Sequence, residues 1–445
     1  MKSIALHNLG CKVNGYEMDV MQQMLCERGY KIVPFDHKAD IYIINTCTVT
    51  NIADRKSRQM LHRARKRNPE AVVVAVGCYV QAGQDQVLRD AGVDLAVGNN
   101  KKKDLVSILE KYLACREGKI TEIKERKTLD GTTIIDIGAA KEYEGMRLKQ
   151  AIGHTRAYIK IQDGCNQFCS YCIIPYVRGR VRSREEKDIL EEVRELAGQG
   201  YQEIVLTGIH ISSYGTDRGC SGLLSLIEAL HGIDGIRRIR LGSLEPGIIT
   251  EEFAEGLSGL PKVCPHFHLS LQSGCDGTLK RMNRHYTAGQ YYEKVSLLRG
   301  KYDFPAITTD VIVGFPGETE EEFAETKAFL EKIKFYEMHV FKYSRRKGTR
   351  AAVMAHQLPE EIKSARSNIL LAMERKDSEE YRKHYIGKEA EVLFEEEKII
   401  DGQAFQVGHT KQYVKVAKKS GQPLGNRLVQ GIITGFAAED ILRME

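Results

Sequence analysis

Short apolar runs alternate with amphipathic segments over the first 115 residues. The apolar runs predict strands at residues 3–6, 41–44, 72–76 and 95–97. The segments between them have helical spacing and predict helices at residues 16–28, 53–67, 84–91 and 103–113. Because strands that alternate with helices form parallel sheets covered by helices, the pattern predicts an open parallel α/β domain over residues 1–115.

The alternation stops over residues 116–150, a charged stretch broken by glycines that predicts an irregular connection. It resumes over residues 151–386 with six predicted strands, near residues 158–161, 204–206, 239–241, 267–271, 309–313 and 338–341. A helical stretch follows each strand, and the last is the long one at residues 360–385. Six such units are two short of a complete eight-fold barrel, so we expect a partial (β/α)6 barrel of the TIM type.

Residues 387–445 have a different pattern, with short β-rich runs separated by glycines. The runs lie at residues 390–394, 405–407, 413–416 and 428–436. This pattern predicts a small all-β barrel. The fold class is therefore α/β, with two α/β domains, a linker between them and a C-terminal β-barrel.

The composition is that of an ordinary globular protein, with 42% hydrophobic and 28% charged residues. No apolar window is long enough to span a membrane, and the first residues lack the apolar region of a signal peptide. Eleven cysteines without a secretory signal indicate reduced thiols and metal ligands rather than disulfides. We expect a cytoplasmic monomer with no membrane partner.

Cations are clustered although the net charge is only +6. One cluster lies in the predicted helix at residues 53–67, a second at residues 178–184 and a third at residues 342–350. A single cluster is usually a solvated face, but three favour a polyanionic partner such as RNA. We expect the arginines of the first cluster to share one side of their helix. The residues expected to contact RNA are Arg58, Arg63, Arg65, Arg67, Arg178 and Arg180.

Three cysteines follow the first predicted barrel strand with C-x3-C-x2-C spacing: Cys165, Cys169 and Cys172. This spacing lets one loop wrap a single iron–sulfur cube, and the fourth iron is left without a ligand from the run. An open coordination position is typical of a reactive metal site. The alternative is a zinc knuckle, which needs a fourth Cys or His nearby and finds none before His210.

A second set of three cysteines comes just after predicted N-terminal strands: Cys11, Cys47 and Cys78. Because the carboxyl ends of parallel strands meet at one edge of a sheet, we expect these thiols to converge there. Gly10 and Gly77 precede two of them and allow the backbone to approach a bulky group. The alternative is three ordinary core cysteines, but their shared edge favours a second cluster.

The C-x3-C-x2-C run resembles the radical S-adenosylmethionine (SAM) superfamily, and essentially the whole chain resembles its methylthiotransferases. The stretches that carry the resemblance are QDGCNQFCSYCIIPYVRGR at residues 162–180, GCKVN at 10–14, NTCTVTN at 45–51, DRKSRQ at 54–59 and GCY at 77–79. The run GCKVN followed by GYE is most similar to the tRNA N6-threonylcarbamoyladenosine branch. The isopentenyladenosine branch and the ribosomal-protein aspartate branch remain alternatives.

The resemblance implies two [4Fe–4S] clusters, SAM and a C-terminal TRAM domain. In that family, SAM cleaved at the barrel cluster yields a radical that takes hydrogen from adenine C2, and a methylated sulfur from the N-terminal cluster joins that carbon. tRNA, an external electron donor and a sulfur source are the implied partners. A non-catalytic alternative is an iron–sulfur sensor that binds RNA.

The SAM pocket is expected beside the barrel cluster, at the carboxyl ends of the barrel strands. Tyr171 occupies the position that the resemblance places beside the adenine of SAM. For the other positions, turn or capping roles are the alternative. The residues expected to bind SAM are Tyr171, Gly208, Ser243, Glu245, Gln272, Val313 and Phe315.

Overall fold

The computed structural model describes residues 2–90, 92–119, 127–131, 133–150, 155–219 and 222–445. The N-terminal domain contains a five-stranded parallel sheet of order β2-β1-β3-β4-β5. Its strands are β1 (Ser3–Asn8), β2 (Lys31–Val33), β3 (Ile41–Thr46), β4 (Val72–Gly77) and β5 (Leu95–Val97). Its helices are α1 (Lys12–Glu27), α2 (Asn51–Arg67), α3 (Cys78–Ala82), α4 (Gln84–Arg89) and α5 (Leu105–Arg116).

The predicted open parallel α/β fold of this domain is confirmed. The sequence pattern missed the short edge strand β2 and the five-residue helix α3. It also started α1 four residues late, and the last residue of the predicted helix at 84–91 lies outside the described residues. Strands β1 and β3 are neighbours although β2 separates them in sequence, so the chain reverses direction across the sheet there. Such a switch point opens a crevice at the carboxyl ends of the strands.

The central domain carries six parallel barrel strands in two hydrogen-bonded groups. They are β6 (Arg156–Asp163), β8 (Glu203–Gly208), β9 (Arg238–Leu241), β10 (His266–His268), β11 (Ala306–Val313) and β12 (Glu337–Lys342). Parallel bridges from Ile239 to Val263 and from Leu244 to Leu269 join the two groups. The predicted partial barrel is therefore confirmed. An additional two-residue strand, β7 (Arg182–Ser183), pairs antiparallel with β6.

Helices follow the strands of this domain and cover the outer face of the barrel, except for the first, which packs against α3 of the N-terminal domain. They are α6 (Ile174–Arg178), α7 (Glu186–Gly198), α8 (Leu223–His231), α9 (Glu251–Ser258), α10 (Asp276–Arg281), α11 (Ala288–Lys301), α12 (Glu320–Ile333) and α13 (Glu360–Lys383). The open side is closed by the N-terminal domain, since α1 packs against β6 and β8. The predicted start of the central domain, residues 151–154, lies outside the described residues, and the domain boundaries stay a prediction.

The C-terminal segment forms a closed five-stranded barrel of order β13-β14-β15-β17-β16. Its strands are β13 (Glu389–Ile400), β14 (Gln403–His409), β15 (Lys415–Lys418), β16 (Leu428–Ala438) and β17 (Ile441–Met444). The small all-β barrel is confirmed, although the pattern missed β17 at the end of the chain. No helix in the described ranges combines the length and the apolar composition needed to cross a membrane.

This C-terminal barrel docks beneath the partial barrel, at the amino ends of its strands. Arg238 of β9 donates to the carbonyl of His409 at 2.9 Å, and Arg240 donates to the carbonyl of Lys411 at 2.8 Å. The ring of Tyr413 lies 4.9 Å from the Arg156 guanidinium and 4.8 Å from that of Arg240. The opposite end of the partial barrel, where its strands end, therefore remains free for a site.

Candidate active site between two cysteine triads

The barrel triad, Cys165, Cys169 and Cys172, lies in the loop that leaves β6. Gly164 begins this loop with φ of +74°, and a Cβ there would lie 1.8 Å from the carbonyl oxygen of Arg180. Only glycine fits that contact, because other residues would collide and would rarely adopt this φ. The local sequence therefore fixes a tight turn immediately before the first cysteine.

Each sulfur of the barrel triad has an N–H donor within reach. The backbone N–H of Gln167 lies 3.4 Å from the Cys165 sulfur, and that of Ile174 lies 3.4 Å from the Cys172 sulfur. The guanidinium of Arg284 lies 3.2 Å from the Cys169 sulfur. N–H···S bonds of this kind stabilise thiolates that bind iron–sulfur clusters and tune their potential. No sequence motif pointed to Arg284, which follows α10 and reaches the loop through the fold.

Two thiols of this loop, Cys165 and Cys172, are held in their protonated form when no metal is bound. Burial, together with the neighbouring cysteines, raises the pKa of Cys165 to about 11 and that of Cys172 to about 12. Metal ions displace such protons because the thiolate is the ligand. Three thiols in one loop, with donors aimed at their sulfurs, fit the cube that their spacing predicts.

The N-terminal triad stands at the carboxyl ends of β1, β3 and β4. Cys11 caps α1, Cys47 follows β3, and Cys78 begins α3. A Cβ on Gly10 would lie 3.1 Å from the Cys47 sulfur, so two of the loops touch. Burial, with contributions from Cys78 and Cys11, raises the pKa of Cys47 to about 11. The structure thus brings the three cysteines together at the switch point, as the sequence predicts.

Arg178 connects the two triads. Its side chain is only 1% exposed, and its Nε donates to the Cys78 sulfur at 3.2 Å. Its other nitrogens donate to Asn14 at 2.6 Å, to both oxygens of Glu17 at 2.5 and 3.0 Å, and to Asp163 at 3.2 Å. The prediction that Arg178 contacts RNA is therefore wrong, because the guanidinium is buried and fully bonded.

Two buried lysines complete this ionic network. Lys160 of β6 donates to Glu17 at 2.7 Å and to Asp163 at 2.6 Å, and Lys102 also pairs with Glu17. Burial alone would raise the pKa of Glu17, but Arg178, Lys102 and Lys160 together hold it well below its usual value. Asp163 precedes Cys165 by two residues. The network therefore joins the barrel cluster loop to the N-terminal domain.

The residues expected to bind SAM differ in their exposure and in their position relative to the barrel triad. Glu245 is partly buried beside the barrel triad, and its carboxylate accepts from Arg284 at 2.7 and 2.9 Å. Ser243 is exposed in the next turn, and Gly208 ends β8 with its Cα close to Gln162. These three stay candidates for cofactor contact.

The remaining SAM expectations need adjustment. Phe315 is fully buried, 6.5 Å from the Tyr171 ring, so it supports Tyr171 and does not face a cofactor; the expected contact is wrong. The carbonyl of Val313 accepts the N–H of Tyr343 at 2.9 Å and keeps a second lone pair, so its contact with adenine stays a prediction. Gln272 has φ of +69°, and its backbone N–H donates to the carbonyl of Asp310 at 2.8 Å, which ties two strand ends together.

The four arginines of α2 divide between two sides of the helix, so the prediction of a single side is wrong. At 3.6 residues per turn, Arg58 and Arg65 share one side, whereas Arg63 and Arg67 lie nearly opposite. Arg58 lies 6.0 Å from the Tyr79 ring, and Arg65 is bonded to Asp94 and two carbonyls. The exposed face of α2 carries other cations with Arg63, namely Arg55, Lys56 and Lys66.

Arg180 remains a candidate for RNA contact. It is exposed, and its guanidinium lies 4.4 Å from the ring of Phe168 in the barrel cluster loop. The neighbouring Arg182 and Arg184 are buried, like Arg178. The second cationic run therefore presents one exposed arginine at the mouth of the site.

Comparisons with known proteins agree with this geometry. The sequence profile of the radical SAM superfamily matches residues 159–330, and that of the uncharacterized protein family UPF0004 matches residues 3–98. The solved structure of the radical S-adenosylmethionine methyltransferase TsrM from Kitasatospora setae, with cobalamin and a [4Fe–4S] cluster bound, is similar with a TM-score of 0.55. The alignment has 15% identity and covers 77% of this chain and 72% of that one, so the similarity concerns the fold.

Similarity in sequence extends over nearly the whole chain. The threonylcarbamoyladenosine tRNA methylthiotransferase MtaB of Bacillus subtilis (strain 168) is 40% identical, over 97% of this chain and 93% of that protein. The MtaB of Aquifex aeolicus (strain VF5) is 39% identical, with 97% and 100% covered. The tRNA-2-methylthio-N(6)-dimethylallyladenosine synthase of Carboxydothermus hydrogenoformans is 34% identical, with 97% of each chain covered.

Proposed function

We propose that this chain, which belongs to the tRNA methylthiotransferase family of radical SAM enzymes, attaches a methylthio group to C2 of N6-threonylcarbamoyladenosine in tRNA. Two relatives named for threonylcarbamoyladenosine share 40% and 39% identity with it, against 33–36% for four relatives named for dimethylallyladenosine. This difference supports threonylcarbamoyladenosine as the substrate. Dimethylallyladenosine (isopentenyladenosine) is the second candidate.

The observation that carries the proposal is the joining of two cysteine triads by one buried ionic network. Arg178 bonds to Cys78 on one side and to Asp163, at the start of the barrel cluster loop, on the other. Because the network crosses the domain interface, it fixes where the two triads lie relative to each other. A reaction that needs two metal centres at one substrate carbon depends on such positioning.

The residues of both triads fit two [4Fe–4S] clusters, and the barrel triad leaves one iron for SAM. When bound, these groups supply the radical that removes hydrogen from adenine and the methylated sulfur that replaces it. The residues of the chain hold these groups and orient them. Arg284 fixes Cys169 and Glu245, and Tyr171, with Phe315 packed behind it, forms an apolar wall beside the loop.

The proposal includes partners that follow from the reaction. The substrate is tRNA carrying threonylcarbamoyladenosine, and an external electron donor and a sulfur source are needed for each turnover. We place the reaction in the cytoplasm. We assign it to a monomer, because both triads and the network between them come from one chain.

Anaerobic reaction of the reconstituted enzyme with anticodon stem-loops tests this function. Three stem-loops would differ only in the adenosine beside the anticodon, which is unmodified, threonylcarbamoylated or dimethylallylated. Mass spectrometry of the digested RNA should find a methylthio group on threonylcarbamoyladenosine. A product on the dimethylallyl stem-loop alone would transfer the proposal to the second candidate.

A further inference from the structure

Three polar side chains project from adjacent strands into the interior of the partial barrel. His268, Asp310 and His339 lie on β10, β11 and β12. Their sequence neighbours Phe267 and Val311 belong to the apolar core shared with the outer helices. Because side chains alternate along a strand, the three polar residues face inward.

These side chains form one compact and accessible group. Their ligand atoms all lie within 4.8 Å of one another, and Nε2 of His268 lies 3.4 Å from a carboxylate oxygen of Asp310. The two imidazole rings are stacked with centroids 5.7 Å apart. His268 and Asp310 retain 13% and 29% side-chain exposure, and His339 is exposed. The group therefore offers both donors and an acceptor to a ligand inside the barrel.

A hydrogen bond on the side of the ring away from Asp310 fixes the orientation of His268. Its Nδ1 lies 3.0 Å from the hydroxyl oxygen of Thr308, which leaves Nε2 turned toward Asp310 and the interior. Asp310 and His339 are direct neighbours across the β11–β12 ladder. A ring held by a second hydrogen bond presents its other nitrogen to a ligand in a defined direction.

The group lies one layer below the barrel triad. Ser270 is the next inward position after His268, and its carbonyl accepts from Arg284, the residue that also donates to the Cys169 sulfur. Two residues of extended strand span about 7 Å. In adenine, C6 is two ring bonds from C2. An adenine whose C2 lies at the triads would therefore place the substituent on its C6 amino group within reach of this layer.

We propose that His268, Asp310 and His339 form the subsite for the N6-threonylcarbamoyl group, with the imidazoles binding its carboxylate and Asp310 accepting from its N–H or hydroxyl. This inference rests on the proposed function and deepens it. The subsite explains discrimination between the two candidate substrates, because a dimethylallyl group has no atom that can bond to these side chains. Burying polar groups without partners is costly, so the pocket disfavours the apolar substituent.

A neutral analogue of the substrate tests the subsite. Two stem-loops would carry threonylcarbamoyladenosine either as the free acid or as its carboxamide, which keeps the shape and removes the charge. The native enzyme should prefer the acid by about tenfold or more in kcat/KM, since hydrogen bonds to a charged group are worth this much. His339→Gln should lose most of that preference, because it removes one of the two imidazoles that bind the carboxylate. The variant should stay folded, since His339 is exposed.

His231→Gln is the matched control, since this histidine ends α8 on the outside of the barrel. It should keep the native preference for the acid. The subsite would be overturned by equal rates with the acid and the amide in the native enzyme, or by an unchanged preference in His339→Gln. In either case, methylthiolation of the acid would still uphold the proposed function. A stoichiometric divalent metal besides iron, lost in His339→Gln, would instead assign the group to a metal ion and would also overturn the proposal.

Discussion

At the scale of single residues, Arg178 shows how a charged side chain can serve two domains at once. It stands in a run of arginines that, in the sequence alone, is typical of an RNA-binding surface. Its actual partners, Glu17 and Cys78, are 161 and 100 residues away in the chain. Cysteine spacing is a local signal and could be interpreted from sequence, whereas the role of this arginine depends on contacts that only the fold creates.

Replacing Arg178 should therefore affect stability strongly. Arg178→Met would leave Glu17 and Asp163 short of a buried cation, and breaking such pairs costs about 3–5 kcal/mol. Urea unfolding of the apoprotein measures the loss. Arg180→Met is the matched control, because that arginine is exposed two residues further on. Equal unfolding midpoints for the two variants would contradict the structural role assigned to the network.

At the scale of elements, α2 shows what a helical pattern does and does not determine. The sequence placed its boundaries to within two residues at the start and correctly at the end, Arg67. The assignment of its arginines to one side failed because, at 3.6 residues per turn, Arg63 and Arg67 lie nearly opposite Arg58 and Arg65. Strands β2 and β17 were missed because three or four residues are too few to establish a period, whereas β5, which is equally short, was recognised because its three residues are all apolar.

The exposed face of α2 carries the prediction for RNA binding. Changing Arg55, Lys56, Arg63 and Lys66 together to Gln should weaken binding of tRNA and lower its salt slope by about 3, since each lost phosphate contact lowers it by about 0.7–0.9. SAM cleavage without RNA should be retained. The same change in the C-terminal barrel, at Lys411, Lys415, Lys418 and Lys419, is the comparison. An unaltered slope in the α2 variant would place the RNA surface elsewhere.

At the scale of the whole molecule, the sequence predicted the layers and the structure supplied their arrangement. Buried parallel strands such as β4, with the sequence VVVAVG, read as continuous apolar runs and are recognisable from the pattern alone. The closure of the partial barrel by α1 and the docking of the C-terminal barrel depend on polar contacts between distant residues. Neither leaves a periodic signal in the sequence.

Docking of the C-terminal barrel can be tested through its buried arginines. Arg238→Met together with Arg240→Met removes the donors to the carbonyls of His409 and Lys411 and leaves Glu203 without its partners. We expect the connection between α13 and β13 to become sensitive to limited proteolysis. Arg237→Met, at an exposed neighbouring position, should leave the digestion pattern unchanged. Equal resistance of the double variant would show that the docking does not depend on these arginines.

The most direct test of the whole account separates the two cysteine triads by their roles. With Cys11, Cys47 and Cys78 changed to Ala, the anaerobically reconstituted protein should fall from about eight irons to about four, the content of one [4Fe–4S] cluster. It should still cleave SAM but attach no methylthio group to threonylcarbamoyladenosine. The matching change of Cys165, Cys169 and Cys172 should abolish SAM cleavage as well. Methylthiolated RNA from the first variant, or SAM cleavage by the second, would contradict the division of labour on which the proposed function depends.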